Sequence, residues 1–295
     1  MLSQPIRYTF GGDEQLFAEI SESMSLAAFF KSLGMVQAIE AQHIDGVLDV
    51  CLANASFQVR FNPDVIHPDI LLAKVKALES MAQDQSKQRL DTRIVEIPVL
   101  YNDPWTHETL MRFRDRHQDP NSTDLEYAAR INGLKDVQAF IDAHCGSPWF
   151  VSMVGFVAGL PFMFQMVEQA KQLEVPKYLS PRTDTPKQTL GHGGCFGCIY
   201  SVRGAGGYQM FGVTPAPIYD PKQTLSYLKD SMVFFRTGDI VQFKPIDRAE
   251  YDRILEEVEN GTFAPKTQAF TFDLQDYQAD PEQYKKTMME VLYVD

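Results

Sequence analysis

The sequence predicts an α+β protein in which an N-terminal domain of strands and helices precedes an all-β domain. The chain has 295 residues, of which 44% are hydrophobic and 22% charged, and this composition excludes a disordered chain. At roughly 150 residues per domain the length favours two domains. Up to residue 100, apolar residues recur at alternating strand and helix spacings. From 149 to 250, glycine and proline separate short apolar runs, as they do in β-barrels and sandwiches.

The N-terminal domain, residues 1–100, is expected to be a ferredoxin-like split βαβ fold, because helix-spaced segments lie on both sides of a hairpin. Ser23 or Ser25 can cap the first helix, and Pro68 can occupy the first turn of the second. The predicted segments are strands at 6–10 and 16–20, a helix to Gln42, strands at 47–52 and 57–61, a helix from Pro68 and a strand at 93–101.

Residues 101–148 are predicted to form a helical connector that contains a basic segment. Arg112, Arg114 and Arg116 lie within 102–124, an unusual concentration of positive charge in an acidic chain. This segment is either a solvated surface or a contact surface for an acidic partner or ligand. Two short helices, 124–131 and 135–145, should follow, because Asn-Gly between them is a helix-ending signal.

The β-domain is expected over 149–250 and a C-terminal extension over 251–295, with a helix, a strand and a final helix. Glycine-rich stretches within the β-domain include Gly155, Gly159, Gly206 and Gly207. Their N–H groups can bind an anion, although sharp turns between strands are the alternative explanation.

Charge and motifs exclude several functions. The net charge of −12 opposes non-specific nucleic-acid binding and adhesion to an anionic membrane. No apolar run has the roughly 18 residues of a membrane-spanning helix, and no secretory signal is visible. Four cysteines do not make a disulfide framework, so we expect a cytoplasmic protein. A phosphate-binding P-loop is absent, as is a sequence that accepts covalent biotin.

Three positions could carry chemistry directly. His144 ends a helix, where a histidine is either structural or, if it faces a pocket, a base. Arg182 lies in a proline-bounded loop and suits a carboxylate or bicarbonate-like group, with a surface ion pair as the alternative. The stretch GHGGCFGCIY contains a third candidate set, His192, Cys195 and Cys198. These residues either form a zinc or redox site, or the cysteines are incidental.

Seven segments in order resemble one family, that of allophanate hydrolase subunit 1, which is also known as the B subunit of 5-oxoprolinase. The same unit forms subdomains C and D of the carboxyltransferase domain of urea carboxylase. The resemblance covers about residues 5–250. The segments are ASFQVRFNP (55–63), IPVLY (97–101), NGLKDVQAFIDAH (132–144), MVGFVAGLPFMF (153–164), SPRTDTP (180–186), GAGGYQMFGVTPAPIYDP (204–221) and GDIVQFKPI (238–246).

The resemblance implies a cyclophilin-like β-barrel after the α/β domain, and a partner of the allophanate hydrolase subunit 2 type that supplies subdomains A and B. Such a complex transfers carboxyl from carboxybiotin or opens 5-oxoproline with ATP, acting on a small amide, urea-like or lactam substrate. Biotin would be carried by a partner, with a biotin carboxylase, and no cofactor would be attached to this chain. A related member inhibits a histidine kinase, so a non-catalytic regulator is the alternative.

The chain departs from the usual family sequence within two of these segments, 153–164 and 180–186. The usual G-F-x-P-G-F-P-Y-L is Gly155–Met163 here and lacks one proline and the tyrosine, and Asp184 replaces the second arginine of P-R-T-R. These changes favour a divergent branch over a simple 5-oxoprolinase. If the reaction is carboxyl transfer, the backbone N–H groups of the glycine loops would donate hydrogen bonds to the oxyanion. Arg182 would bind the anionic group, and His144 would act as the base.

Overall fold

The computed structural model describes residues 5–80 and 89–293, which form helices and β-sheets, and the α+β class is confirmed. The chain divides into two compact units. The first comprises the residues up to Leu90 together with Phe272–Ala279, and the second comprises Asp91–Thr271 together with the residues from Asp280 onward. In the described ranges, no helix has the length and apolar character needed to cross a membrane.

The first unit packs two helices on one face of an antiparallel sheet whose strand order is β1-β2-β4-β3. Alternation places Leu16 and Ala18 on the same buried face as Phe57, Val59 and Phe61. The elements are β1 (Arg7–Phe10), β2 (Gln15–Glu19), α1 (Leu26–Ala41), β3 (Val47–Leu52), β4 (Ser56–Phe61) and α2 (Pro68–Ala77).

The strand expected to complete a ferredoxin-like sheet pairs elsewhere. That strand, β5 (Arg89–Tyr101), lies in the larger sheet of the second unit, and β1 occupies the edge next to β2. Ile94, Val95, Ile97 and Val99 of β5 are fully buried. Such a nearly continuous apolar run suits a strand covered on both faces rather than an edge of a one-sided sheet.

The second unit contains the connector helices, the larger sheet and the C-terminal elements. In chain order the elements after β5 are α3 (Pro104–Arg112), α4 (Asp124–Ile131), α5 (Val137–Cys145), β6 (Trp149–Val154), β7 (Pro161–Gln165), β8 (Arg182–Thr185), β9 (Thr189–Gly193), β10 (Phe196–Ile199), β11 (Gly204–Gly206), β12 (Gln209–Val213), β13 (Ile240–Pro245), α6 (Arg248–Glu259), β14 (Thr267–Asp273), α7 (Leu274–Ala279, in the first unit) and α8 (Pro281–Tyr293).

Among the described residues, the larger sheet is mixed and has the order β12-β9-β10-β7-β6-β13-β5-β14, with a further pairing between β12 and β5. The series of strand pairings that runs from β12 to β5 therefore closes on itself, because β5 also pairs with β12. A Cβ atom at Gly212 would lie 2.6 Å from the backbone oxygen of Leu100, so glycine is required where these two strands meet. Strands β8 and β11 form a separate small sheet.

The basic segment of the connector binds groups of its own chain. Arg114 is buried and paired with Asp124, and Arg116 donates to the backbone oxygen of Pro181 at 2.6 Å. Arg112 donates to Asp184 at 2.5 Å, and Arg203 also pairs with that carboxylate. The acidic residue that departs from the family pattern is thus held by two arginines, one of them from the 102–124 segment.

Candidate functional site

A cavity of about 380 Å³ opens on the second unit beside the small β8–β11 sheet. Its walls are mostly apolar and aromatic, and we call it the aromatic pocket. A cavity of this size, with few polar groups, is typical of a small-molecule site. Its lining consists of Phe156, Leu160, Phe162, Lys177, Pro181, Cys198, Tyr200, Ala205, Gly206, Gly207 and Tyr208.

Glycines in the neighbouring strands allow the two tyrosines of the pocket to lie close to the backbone. A Cβ atom at Gly193 would lie 2.4 Å from the Tyr208 ring, and one at Gly191 would lie 2.8 Å from the Tyr200 ring. At Gly206 a Cβ atom would lie 2.4 Å from the Tyr200 hydroxyl oxygen. Burial raises the pKa of Tyr200 and Tyr208 well above their usual range, so both hydroxyls are neutral.

Arg182 lies behind the pocket wall and is fully buried. Its guanidinium donates to the backbone oxygen of Tyr208 at 2.7 Å and to Oγ1 of Thr185 at 3.2 Å. Its Cζ atom lies 4.4 Å from the centre of the Tyr178 ring. Among the described residues, no carboxylate pairs with Arg182 and its Nε has no hydrogen-bond partner. A buried, uncompensated cation favours an anionic or strongly polar ligand group.

A buried ion pair supports the Arg182 environment from the connector side. Asp124 accepts hydrogen bonds from Arg114 at 2.5 Å, from the Tyr178 hydroxyl at 2.8 Å and from the backbone N–H of Met210 at 2.7 Å. The backbone N–H of Tyr178 donates to the carbonyl of Gly207 at 2.8 Å. The network therefore fixes both the ring beneath Arg182 and the loop that lines the pocket.

The structure brings together three of the residues that we predicted for an anion site, namely Arg182, Gly206 and Gly207. Gly155 and Gly159 lie in the β6–β7 loop, which reaches the pocket through Phe156 rather than through either glycine. The Gly155 N–H donates to the backbone oxygen of Leu160 at 3.0 Å, so an anion would have to displace that bond.

His144 lies in the core and lines none of the described pockets. Its Nδ1 is 3.0 Å from the Tyr101 hydroxyl, and its ring lies 4.6 Å from that of Trp149. Burial lowers the pKa of His144 well below its usual value. Arg182 is equally buried but hydrogen-bonds Tyr208 of the pocket lining, whereas the described contacts of the His144 ring are with core residues. We therefore propose a structural role for His144.

His192, Cys195 and Cys198 do not converge. In the β9–β10 register His192 is opposite Gly197, whereas Cys198 is opposite Gly191. Since neighbouring residues of a strand point to opposite faces, the imidazole and the Cys198 thiol lie on different sides of the sheet. Cys195 lies at the turn between the two strands. Over the part of the chain that the structure describes, no group of three His, Cys, Asp or Glu residues could hold a metal ion.

Sequence reasoning missed the aromatic residues Phe156, Tyr200 and Tyr208. The spacing of Cys198 and Tyr200 within one strand segment could have indicated that they share a face. No local signal could have brought Phe156 to the same pocket, because its position depends on the pairing of β7 with β10.

We expect Gly206→Ala to destabilise the fold by about 1–3 kcal/mol, in the range typical of overpacking. The added methyl group would overlap both the Tyr200 hydroxyl and Oγ1 of Thr185, which lies 2.8 Å from the Cβ position. Gly207→Ala is the matched control, because its nearest atoms there are 4.0 Å away, in Pro181. Urea denaturation of both variants checks this, and equal loss of stability would contradict the pocket geometry.

Acid is expected to destabilise the protein between pH 6.5 and about 4 through His192. Burial lowers the pKa of this histidine to about 4, while its Nε2–H donates to the carbonyls of Leu173 and Gly194. Because the unfolded histidine, with a pKa of about 6.5, binds its proton first, stability falls as the pH drops below that value, by up to about 3 kcal/mol. His192→Gln should reduce this pH dependence in urea titrations, and the part that remains is expected from His144, whose pKa burial also lowers. An unchanged slope in His192→Gln would contradict the assignment.

The sequence matches the family of the carboxyltransferase domain, subdomain C and D, over residues 6–228, and the chain belongs to this family. The resemblance inferred from its seven segments is thereby confirmed.

The chain is similar in sequence to two kinds of protein. It is 26% identical over 285 residues to urea amidolyase from Lachancea kluyveri, which covers 94% of this chain but 15% of that protein. It is 29% identical over 227 residues to the B subunit of 5-oxoprolinase from Bacillus subtilis, with 74% of this chain and 84% of that protein covered. The crystal structure of K. lactis urea amidolyase shares the fold, with a TM-score of 0.88 at 22% identity over 99% of this chain and 18% of the other. The chain thus spans less than a fifth of the urea amidolyases that it matches.

Proposed function

We propose that this chain is one subunit or segment of a biotin-dependent carboxyltransferase or 5-oxoprolinase-type complex that acts on a small amide, urea-like or lactam substrate in the cytoplasm. The aromatic pocket is the part of the active site that this chain contributes. The observation that carries the proposal is Arg182, a fully buried cation with no described carboxylate partner and an unpartnered Nε, next to a cavity of substrate size.

The pocket can bind and polarise a substrate. Carboxyl transfer and lactam opening both develop negative charge on an oxygen atom, and fixed donors in a dry site stabilise such charge. Arg182 supplies a permanent cation, and the neutral hydroxyls of Tyr200 and Tyr208 are further donors. The aromatic and aliphatic walls exclude water, which strengthens each of these interactions.

Removal of a proton requires a base, and the lining contains no aspartate, glutamate or histidine. We propose that a partner of the allophanate hydrolase subunit 2 type, corresponding to subdomains A and B, contributes it. The four-part organisation, with a cyclophilin-like barrel over 149–250, belongs to the same proposal. The strand pairings that close from β12 to β5 support a barrel, to which β5 (Arg89–Tyr101) contributes from outside that range.

A carboxylated biotin ring fits the residues that are present. Tyr200 and Tyr208 would hold its flat ureido ring, and Arg182, which donates to the backbone oxygen of Tyr208, would supply the nearby positive charge. When bound on a partner carrier, this group supplies the carboxyl that is transferred. ATP would be used by a biotin carboxylase or another subunit of the complex.

The test is to purify the tagged protein from its native host and identify what accompanies it by mass spectrometry. A near-stoichiometric subunit 2-type protein, with bicarbonate- and ATP-dependent turnover of urea or 5-oxoproline, is the expected result. Recovery of a histidine kinase or another signalling protein in its place, without turnover, would contradict the proposal and favour a non-catalytic regulator.

A further inference from the structure

The first unit has a cavity of its own, with a volume of about 540 Å³. It is lined by the loop after α1 (42–45), by the segment before α2 (65–67) and by one side of α2. We call it the α1–α2 cavity. Its volume is in the range of small-molecule sites, and it shares no described lining residue with the aromatic pocket.

The walls of the α1–α2 cavity are tied together through Asn62. The N–H of Asn62 donates to the carbonyl of Gly46 at 2.7 Å, and the Asn62 carbonyl accepts from the N–H groups of Val65 and Ile66 at 3.1 Å. Gly46 has a φ angle of +88°, and a Cβ atom there would lie 2.7 Å from Cγ2 of Ile66. Glycine is therefore required for this close approach, and the fold itself shapes the cavity.

Two opposite charges line the cavity without forming an ion pair. Lys74 comes from α2 and Asp45 from the loop after α1, and both side chains are exposed. Among the described residues, neither has an ion-pair partner, and they do not pair with each other. A cation and an anion in one cavity therefore both have charge-assisted hydrogen bonds to offer a ligand.

Aliphatic side chains complete the lining beside these charges. Val65 is 59% exposed and Ile70 is 53% exposed, and both line the cavity. A ligand with an apolar body would remove this surface from water, which is favourable in proportion to the area covered. The cavity thus presents one cation, one anion and an aliphatic surface.

We propose that the α1–α2 cavity binds a free α-amino acid with a branched aliphatic side chain. Lys74 binds its carboxylate, Asp45 binds its ammonium group, and Val65 and Ile70 contact its side chain. A simple carboxylate or phosphate would meet the like charge of Asp45, and a simple amine would meet that of Lys74. The inference goes beyond the proposed function, because this cavity lies in the first unit and the proposed reaction uses the second.

The six histidines of the chain provide local probes of binding. His43 and His67 line the cavity, whereas the other four are not among its lining residues. The test is an NMR titration of the imidazole C–H signals of the full chain with leucine. The two signals are identified by their loss in His43→Gln and His67→Gln. We expect leucine to shift these two signals with a Kd on the order of 1 mM and to leave the other four unchanged.

Three further probes separate the contributions of the ligand groups. Isocaproate is leucine without its amino group, isoamylamine is leucine without its carboxylate, and glycine lacks the aliphatic side chain. Isocaproate and isoamylamine should each bind about 5-fold more weakly than leucine, the upper end for an exposed ion pair. Glycine should bind about 10-fold more weakly, because most of the apolar contact is lost.

Substitutions assign each charge of the ligand to its partner. Lys74→Gln should weaken leucine and isocaproate by about 5-fold and leave isoamylamine unchanged. Asp45→Asn should weaken leucine and isoamylamine equally and leave isocaproate unchanged or tighter. The matched controls are Lys76→Gln on the same helix and Asp49→Asn on β3, both exposed and outside the described lining, and they should change no affinity. Since all four side chains are exposed, Tm should stay within about 2 °C in each variant.

Three outcomes would overturn the inference. They are unshifted signals of His43 and His67 in about 50 mM leucine, equal affinities for leucine and isocaproate, and equal loss of affinity in Lys74→Gln and Lys76→Gln. The proposed function fails separately, because an assembled complex without carboxyltransferase or 5-oxoprolinase activity contradicts that function and leaves this cavity unaffected.

Discussion

Arg182→Ala is expected to lower kcat/KM of the assembled complex by at least about 100-fold, the loss typical when a fixed donor to a developing oxyanion is removed. The residue is the buried cation nearest the aromatic pocket, and alanine would remove both the charge and the donor at Nε. Steady-state kinetics with the saturating partner subunit, with substrate varied, measures this loss.

Two further variants separate charge from packing. Arg182→Lys keeps the charge but loses the planar fork, and we expect an intermediate rate. Arg203→Ala is the matched arginine control, because that side chain is exposed and pairs with Asp184 at the surface; its kinetics should be unchanged. Unchanged kinetics in a folded Arg182→Ala protein would remove this residue from the active site.

Asp124→Ala is expected to destabilise the protein by about 3–5 kcal/mol, the cost typical of breaking a buried ion pair. Asp124 is fully buried, and its loss leaves the guanidinium of Arg114 without its carboxylate and the hydroxyl of Tyr178 without its acceptor. Urea denaturation at neutral pH measures the change, and a lower pocket affinity should accompany it because Tyr178 supports Arg182.

The controls for Asp124→Ala use the same chemistry in a different setting. Asp184 also pairs with two arginines but is partly exposed, and Asp184→Ala should cost about 1 kcal/mol or less. Replacing both partners, as in Arg114→Met with Asp124→Leu, should be milder than Asp124→Ala alone because no charge is left unpaired. A double variant as unstable as the single one would contradict this account.

Local patterns predicted most of the helices and strands, but not which sheet each strand joins. The segment at 93–101 was correctly predicted as a strand, and its placement in the N-terminal sheet was wrong. Whether a segment forms a strand depends on the alternation of apolar and polar residues and on β-branched residues close together in sequence. Which strand it pairs with depends on distant segments: β5 pairs with β13, almost 150 residues further along the chain. The continuous burial of β5 was visible in its sequence and could have indicated a strand covered on both faces.

The sequence predicted residues of the candidate site only where the chemistry of a single residue type, such as arginine or glycine, indicates a function. Arg182, Gly206 and Gly207 were predicted from side-chain chemistry and glycine spacing; the structure places both glycines in the lining of one pocket and Arg182 next to that lining, and their roles remain predictions. His144 looked equally suitable, because the sequence does not show that Trp149 and Phe243 enclose its ring. Phe156 and Tyr208 gave no signal of their own, since the sequence cannot distinguish an aromatic ring that lines a cavity from one that fills the core.

The most direct test of the central claim is the turnover of urea or 5-oxoproline by the two purified subunits, assayed separately and then mixed with the remaining components of the complex. The account predicts no turnover by either subunit alone, full turnover on mixing, and loss of that turnover when the mixed chain carries Arg182→Ala. Full turnover by the partner without this chain would show that the aromatic pocket is not part of the active site.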